Sequence, residues 1–314
     1  MKVLAVDDDP IFRAAFEAVL RHHDIADLDM AASGQEALRL VSTQTVPFDC
    51  IFVDIQMPEM NGIELAGILR AMDPEGRTQI VMVTGLSDRQ YIDQAFMAGA
   101  VDYITKPLDA LEFKARLSSI QRVHESRLRA NAVQEQLAAA TNLQHQIDYE
   151  DALTPPDVKG LISYMALRNY LKAIGRPRYA LSQRIGICVE NAANIFVRTN
   201  DEDFLDIMAD VGEVIVETLK SQNLMVAYAG SGEFIAVSSA IYLASPEQLE
   251  SQISTALEAY QEAYLIDAVP IVRVGKAMRG SIFARRSIDE GIDEALLSAR
   301  ARPTMHGYSR ARSA

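Results

Sequence analysis

Over its first 107 residues the chain alternates short apolar runs with longer stretches in which apolar side chains recur every third or fourth position. The runs lie at 3–6, 28–31, 50–54, 80–84 and 101–105, and the helical spacing lies at 11–22, 34–41, 63–72 and 89–98. CIFVD (50–54) and IVMVT (80–84) are apolar on both sides, as centrally buried parallel strands must be. Strand and helix in regular alternation predict a parallel sheet with helices on both faces.

From Leu108 the helical spacing continues through Leu111, Phe113, Leu117, Ile120 and Val123, with neither proline nor glycine before about Ile147. That is longer than a globular helix usually runs, so its later part is expected to stand outside the first domain as a stalk. Val133, Ala140 and Ile147 share one heptad position with Leu143 between them, a seam for a parallel dimer coil that Gln and Asn interrupt. Pro155 and Pro156 stop the pattern. Beyond them, helical stretches at 160–174, 203–220, 246–264 and 289–301 mix with strand patterns at 185–189, 224–228, 234–238 and 270–274. This is an α+β order. The expected organisation is a first domain over 1–122, a helical linker over 123–150 and a second domain over 151–314.

Bulk properties narrow the class. A chain of 314 residues with 49% hydrophobic content can fill two cores. Its net charge of −13 disfavours DNA or an anionic membrane as partner. The arginines at 300, 302, 310 and 312 read as a solubilising tail. Cys50 and Cys188 each sit in an apolar run, as reduced core residues of a cytoplasmic protein do. The first residues reach three acids by Asp9, without the apolar stretch of a signal peptide. Segment 221–246 carries one charge, Glu233, but Gly230-Ser231-Gly232 splits it into a β-hairpin, not a membrane span.

The chemistry gathers at strand ends. Asp7 and Asp8 follow the first strand and Asp54 closes the third. In a doubly wound sheet those ends face one crevice. Three acids there repel each other unless a cation joins them, and oxygen ligands suit Mg²⁺. Thr84 adds a hydroxyl and Lys106 an ammonium, which together equip the crevice to place a phosphoryl group on a carboxylate.

At these residues the sequence resembles the response regulator receiver family, whose flavodoxin-like fold is a five-stranded doubly wound parallel sheet. The resemblance rests on VDDDP (6–10), DIQMPEMNG (54–62), Thr84 and GAVDYITKP (99–107), in family order and spacing. It implies that Asp54 is the phosphoacceptor, served by a histidine kinase or phosphotransfer protein. It also implies that Asp8 ligates Mg²⁺ with help from the Gln56 backbone carbonyl, and that Asp7 acts through water. Lys106 would pair with the phosphoryl oxygens, Thr84 would turn to bond them, and Tyr103 would move with Thr84. Phosphorylation would drive homodimerisation.

The second domain is similar to the GGDEF family, the diguanylate cyclases that make cyclic di-GMP from GTP. The similarity rests on DALT (151–154), GSGEF (230–234), VPIVRVG (269–275) and the helical stretch at 294–300. The turn Gly230-Ser231-Gly232-Glu233-Phe234 keeps Glu233 and Phe234, but Gly232 replaces the family's acid and Ser231 its second glycine. Val189 stands where a metal-binding aspartate is expected, with Glu190 beside it. The family's inhibitory product site falls on Ser221-Gln222-Asn223-Leu224 and is missing. Asp206 matches a guanine-contacting acid, with Leu205 in place of its glycine. Cyclisation needs paired Mg²⁺ held by carboxylates. The expectation is therefore an inactive GGDEF-like output domain acting on an unidentified downstream protein. The alternatives are an active cyclase with substituted ligands, a nucleotide-sensing domain, or a chance likeness.

Overall fold

The computed structural model describes residues 1–73, 76–85, 89–138, 147–155, 158–220, 224–240, 243–260, 270–280 and 287–302, without the side chains of 89, 90, 127 and 129–138. It divides into two compact units, Met1–Leu143 and Gln144–Ala314.

The first unit runs β1 (Lys2–Val6), α1 (Pro10–His22), β2 (Asp27–Ala31), α2 (Gly34–Thr43), β3 (Cys50–Asp54), α3 (Gly62–Met72), β4 (Gln79–Thr84), α4 (Arg89–Met97), β5 (Asp102–Thr105) and α5 (Ala110–Ala138). The strands form one sheet in the order β2-β1-β3-β4-β5, every pair parallel. This is the doubly wound arrangement that the alternation predicts. The order reverses between β1 and β3, so the crevice of the fold opens at their carboxyl ends. Local chemistry sets the helix starts. Asp9 caps α1 by accepting from the Ile11 N–H, with Pro10 in the first turn. Asn61 and Glu64 form a capping box on α3.

Each sheet face carries its own core. Phe16 packs edge to face on Phe52 and Phe113, which tilt against each other, and the three tie α1 and α5 to β3. On α5, Phe113, Leu117 and Ile120 are buried, while Leu128 further along is exposed. Within the 108–147 pattern the described helix covers Ala110–Ala138, and residues 139–146 lie outside the described residues. The described far end of the expected linker is not helical. Residues 147–150 form a turn, and Ile147 and Tyr149 pack against the core of the second unit. The cause is local: the Asp148 carboxylate accepts from the Glu150 N–H at 3.1 Å, and Asp151 accepts from the Asp148 N–H at 3.3 Å, bonds that compete with the helix ladder.

The second unit contains β6 (Leu161–Ile162), α6 (Tyr164–Ala173), α7 (Gly175–Leu181), β7 (Gln183–Val189), α8 (Ala192–Arg198), α9 (Asp201–Leu219), β8 (Leu224–Gly230), β9 (Glu233–Ser238), α10 (Pro246–Glu258), β10 (Val272–Val274), β11 (Met278–Arg279) and α11 (Ile288–Arg300). Its mixed sheet has the order β10-β7-β9-β8-β6, with β11 also on β7. β8 and β9 make the hairpin that Gly230-Ser231-Gly232 predicts. The expected helix over 160–174 is shorter: Leu161 and Ile162 pair with β8, and Ser163 caps α6 by accepting from the Ala166 N–H. Residues 261–264 of the expected third helix lie outside the described residues, as do Arg310 and Arg312. No helix among the described residues is long and apolar enough to cross a membrane.

Candidate functional site

The crevice of the first unit assembles from four strand ends. Because Asp9 caps α1, Asp7 and Asp8 are left for the crevice, and Asp54 ends β3 beside them. One carboxylate oxygen from each of Asp7, Asp8 and Asp54 lies within 4.8 Å of the others. Asp7 and Asp54 are buried and Asp8 is exposed at the mouth. Lys106 enters from the turn after β5 and bridges the two buried acids, with Nζ 2.5 Å from Asp7 Oδ2 and 2.9 Å from Asp54 Oδ1. The second Asp54 oxygen accepts from the Gln56 backbone N–H at 3.0 Å. Thr84, 1% exposed, closes β4, and its carbonyl accepts from the Lys106 N–H at 2.8 Å. The Lys106–Pro107 peptide is cis. Tyr103 sits half-buried on β5 opposite Met82, its ring 5.2 Å from the Arg116 guanidinium. Arg116 in turn pairs with Asp102 and Glu112.

Charge explains why these groups tolerate one another. Burial pushes the Asp54 carboxyl above the usual aspartate value and the Asp7 charge adds to this, while Lys106 pulls the other way by hydrogen bond and charge. Burial alone would lower the Lys106 ammonium, but its bonds to Asp7 and Asp54 outweigh that and raise it. The pocket thus holds two buried acids against one half-buried cation, with a third acid at the rim. An all-oxygen donor set with excess negative charge fits a small hard divalent cation.

Two contributors escape the sequence reading. The Phe12 ring lies under Lys106, with Nζ 4.0 Å from its centroid, and Arg13 Nη1 donates to the Asp7 carbonyl at 2.5 Å. Both lie in the first turn of α1, directly after the acids, where side chains face the same strand ends; that spacing was the available signal. A groove of about 670 Å³ opens beside the acids, lined among others by Asp8, Gln56, Asn61 and Tyr91.

The hairpin turn of the second unit has a different character. Glu233 is buried, and Arg300 of α11 clasps both of its oxygens, Nε donating to Oε1, and Nη2 to Oε2 at 2.6 Å. Glu190, beyond the end of β7, is paired with Arg273, whose Nε donates at 3.1 Å. The turn's backbone is occupied as well. The Ser231 N–H donates to the Tyr149 carbonyl at 2.8 Å, and the Gly232 N–H donates to the Tyr228 hydroxyl at 3.0 Å. Gly232 has φ +73°, and a Cβ there would lie 2.2 Å from that of Ala192. Phe234 is fully buried. Asp206 is exposed on α9 beside Leu205, and residues 221–223 lie outside the described residues.

Residues 3–118 match the family model of the response regulator receiver domain. The chain is 32% identical over 123 residues to the transcriptional regulatory protein BtsR of Escherichia coli K12, a match covering 39% of this chain and 48% of that protein. It is 36% identical over 110 residues to an uncharacterised response regulatory protein of Vibrio vulnificus, covering 35% and 43% respectively. The chain thus spans about half the length of the curated relatives it matches. Among solved structures, the chemotaxis protein CheY4 of Vibrio cholerae is 28% identical with a TM-score of 0.35, covering 38% of this chain and 97% of that one. A probable two-component system response regulator/GGDEF domain protein is 26% identical with a TM-score of 0.37, covering 40% of this chain and 50% of that one.

Proposed function

We propose, from the premise that residues 3–118 are a response regulator receiver domain, that Asp54 accepts a phosphoryl group in a magnesium-dependent reaction and that the second unit serves as a non-catalytic output. The observation that carries this reading is Lys106 bridging Asp7 and Asp54 at the switch point of the sheet, with Asp8 at the mouth.

Asp7, Asp8 and Asp54, with the Gln56 carbonyl, would hold the ion. Bound there, Mg²⁺ would offset the charge of the acids and of the incoming phosphoryl oxygens. The chain's own groups do the rest. An Asp54 oxygen attacks phosphorus, the bond from phosphorus to the donor's imidazole nitrogen breaks, and an acyl phosphate forms on Asp54. Lys106 lies within reach of the new oxygens, and the Thr84 hydroxyl turns to bond them. The donor is a histidine kinase or phosphotransfer protein sharing the cytoplasm with this chain. The modified carboxylate carries about −1.5 to −2 charges and three strong acceptor oxygens, which biases the α4–β5–α5 face toward a second copy.

In the second unit the two acids nearest a cyclase metal site are each neutralised by an arginine, and the turn's N–H groups already have partners. Among the described residues, the acid group suited to a metal is the one at Asp54. These observations favour a GGDEF-like fold without cyclase activity, with a downstream protein as its target.

One incubation tests both halves. Purified protein with a phosphodonor and Mg²⁺ is expected to take label at Asp54, and chelating the ion should slow uptake at least about a hundredfold, the scale of several kcal/mol of lost charge stabilisation. With GTP the same protein should yield no cyclic di-GMP. Uptake unaffected by chelation would overturn the first half, and cyclic di-GMP the second.

A further inference from the structure

We infer that residues 147–151 form a strap over the hairpin turn, docked in the unmodified chain and released when Asp54 carries phosphate. The inference rests on the receiver reading above.

Ser231 and Tyr149 bond each other twice. The Ser231 N–H donates to the Tyr149 carbonyl at 2.8 Å, and the Tyr149 hydroxyl donates to the Ser231 carbonyl at 2.8 Å. The Tyr149 ring continues an aromatic group, 5.4 Å from Phe196 and 6.2 Å from Phe204. On its other side the strap lies directly on the turn backbone: a Cβ at Gly230 would fall 2.2 Å from the Glu150 carbonyl oxygen. Ile147, at the head of the strap, donates its N–H to Asp201 Oδ2 at 3.2 Å.

The turn is held in an unusual backbone state while the strap is on it. Ser231 has φ +56°, a left-handed conformation that a non-glycine residue adopts at a cost unless its surroundings impose it. The strap supplies that imposition, since both Tyr149 bonds fall on Ser231. A docked segment held by two hydrogen bonds to Ser231, one to Asp201 and one half-buried ring is near the low end of local stability, so a modest bias can open it.

Position in the chain gives the bias a route. Residues 147–151 are the first described segment after α5, and α5 begins as receiver core at Phe113, Leu117 and Ile120. A change in how α5 leaves the receiver reaches the strap through the chain itself. Release would uncover the Ser231 backbone and the aromatic ring surface beneath Tyr149. In a cyclase the equivalent turn would face nucleotide; here it becomes a gated contact surface for the downstream protein.

The test is amide exchange at Ser231 in the full chain, read by NMR in Mg²⁺ buffer with and without a small acyl phosphate donor. Label on Asp54 is quantified in the same samples. Exchange at Ser231 should rise at least about fivefold with phosphorylation in wild type and not at all in Asp54→Asn, fivefold being the loss of roughly one net hydrogen bond. Tyr149→Phe, which keeps the ring and loses the hydroxyl, should raise the unphosphorylated rate about fivefold and shrink the phosphorylation increment. An unmoved Ser231 in a sample whose Asp54 is labelled overturns the strap, as does a Tyr149→Phe chain that exchanges like wild type. Absence of label on Asp54 overturns the receiver reading instead, and the strap with it.

Discussion

Asp54→Asn protein should take up no phosphoryl label under conditions that label the wild type to completion, and it should do so while remaining fully folded. The amide keeps the shape of the side chain and one acceptor oxygen for Lys106, but it removes the nucleophile and one of the three acids around the crevice. Stability separates this from a folding defect. The folded-state value of Asp54 lies above the ordinary aspartate value, chiefly through burial. Its ionisation is therefore easier in the unfolded chain, so the ionised form subtracts from stability. That penalty is absent below the unfolded value and grows as pH rises through the folded one. In metal-free buffer near neutral pH, Asp54→Asn should thus unfold at the same temperature as wild type or higher, and the difference should vanish toward acid pH. A variant that takes label at wild-type rates would end the assignment of Asp54. One that is markedly less stable at neutral pH would show that its charge is a net asset, against the balance of burial and Lys106 drawn here.

The receiver crevice is readable in the sequence because each of its parts is a polar or charged group closing a strand that is otherwise apolar. Asp54 after CIFV, Thr84 after IVMV and Lys106 after YIT stand out against apolar strands, and a parallel sheet delivers strand ends to one place regardless of loop details. Contributions that depend on side chains returning across the fold are not readable in this way. Arg300 meets Glu233 from 67 residues away and Tyr149 meets Ser231 from 82, and neither spacing carries a periodic signal. The misplaced element starts have local causes. Leu161 and Ile162 fit a helical pattern, yet Ser163 offers a cap and β8 offers an edge, and tertiary pairing wins over spacing in so short a segment. At 147–151 the carboxylates of Asp148 and Asp151 close a turn where hydrophobic spacing alone continues the helix.

Two glycines on α3 should respond to alanine in opposite directions, and the contrast tests how tightly that helix backs the phosphoacceptor. Gly62 opens α3, and its N–H donates to the Ile55 carbonyl at 2.9 Å. A Cβ on it would lie 2.0 Å from the Asp54 carbonyl oxygen and 2.9 Å from Val53 Cγ1. The closest obstacle is backbone, so no rotamer change relieves it, and the β3–α3 connection must shift. Overpacking of this kind costs about 3 kcal/mol, which for a unit of this size lowers its unfolding midpoint by roughly 10 °C. The same shift moves the Asp54 carboxylate relative to Lys106, and a displacement near 1 Å should slow label uptake by about a hundredfold. Gly67, further along the same helix, has nothing within 4 Å of the position its Cβ would take. Gly67→Ala should therefore gain about 0.5–1 kcal/mol from reduced unfolded-state freedom and leave uptake unchanged. Thermal unfolding of the first unit and the initial rate of Asp54 labelling, measured on both variants, decide the matter. If Gly62→Ala melts and labels like wild type, the close seat of α3 against Asp54 is not what positions the carboxylate.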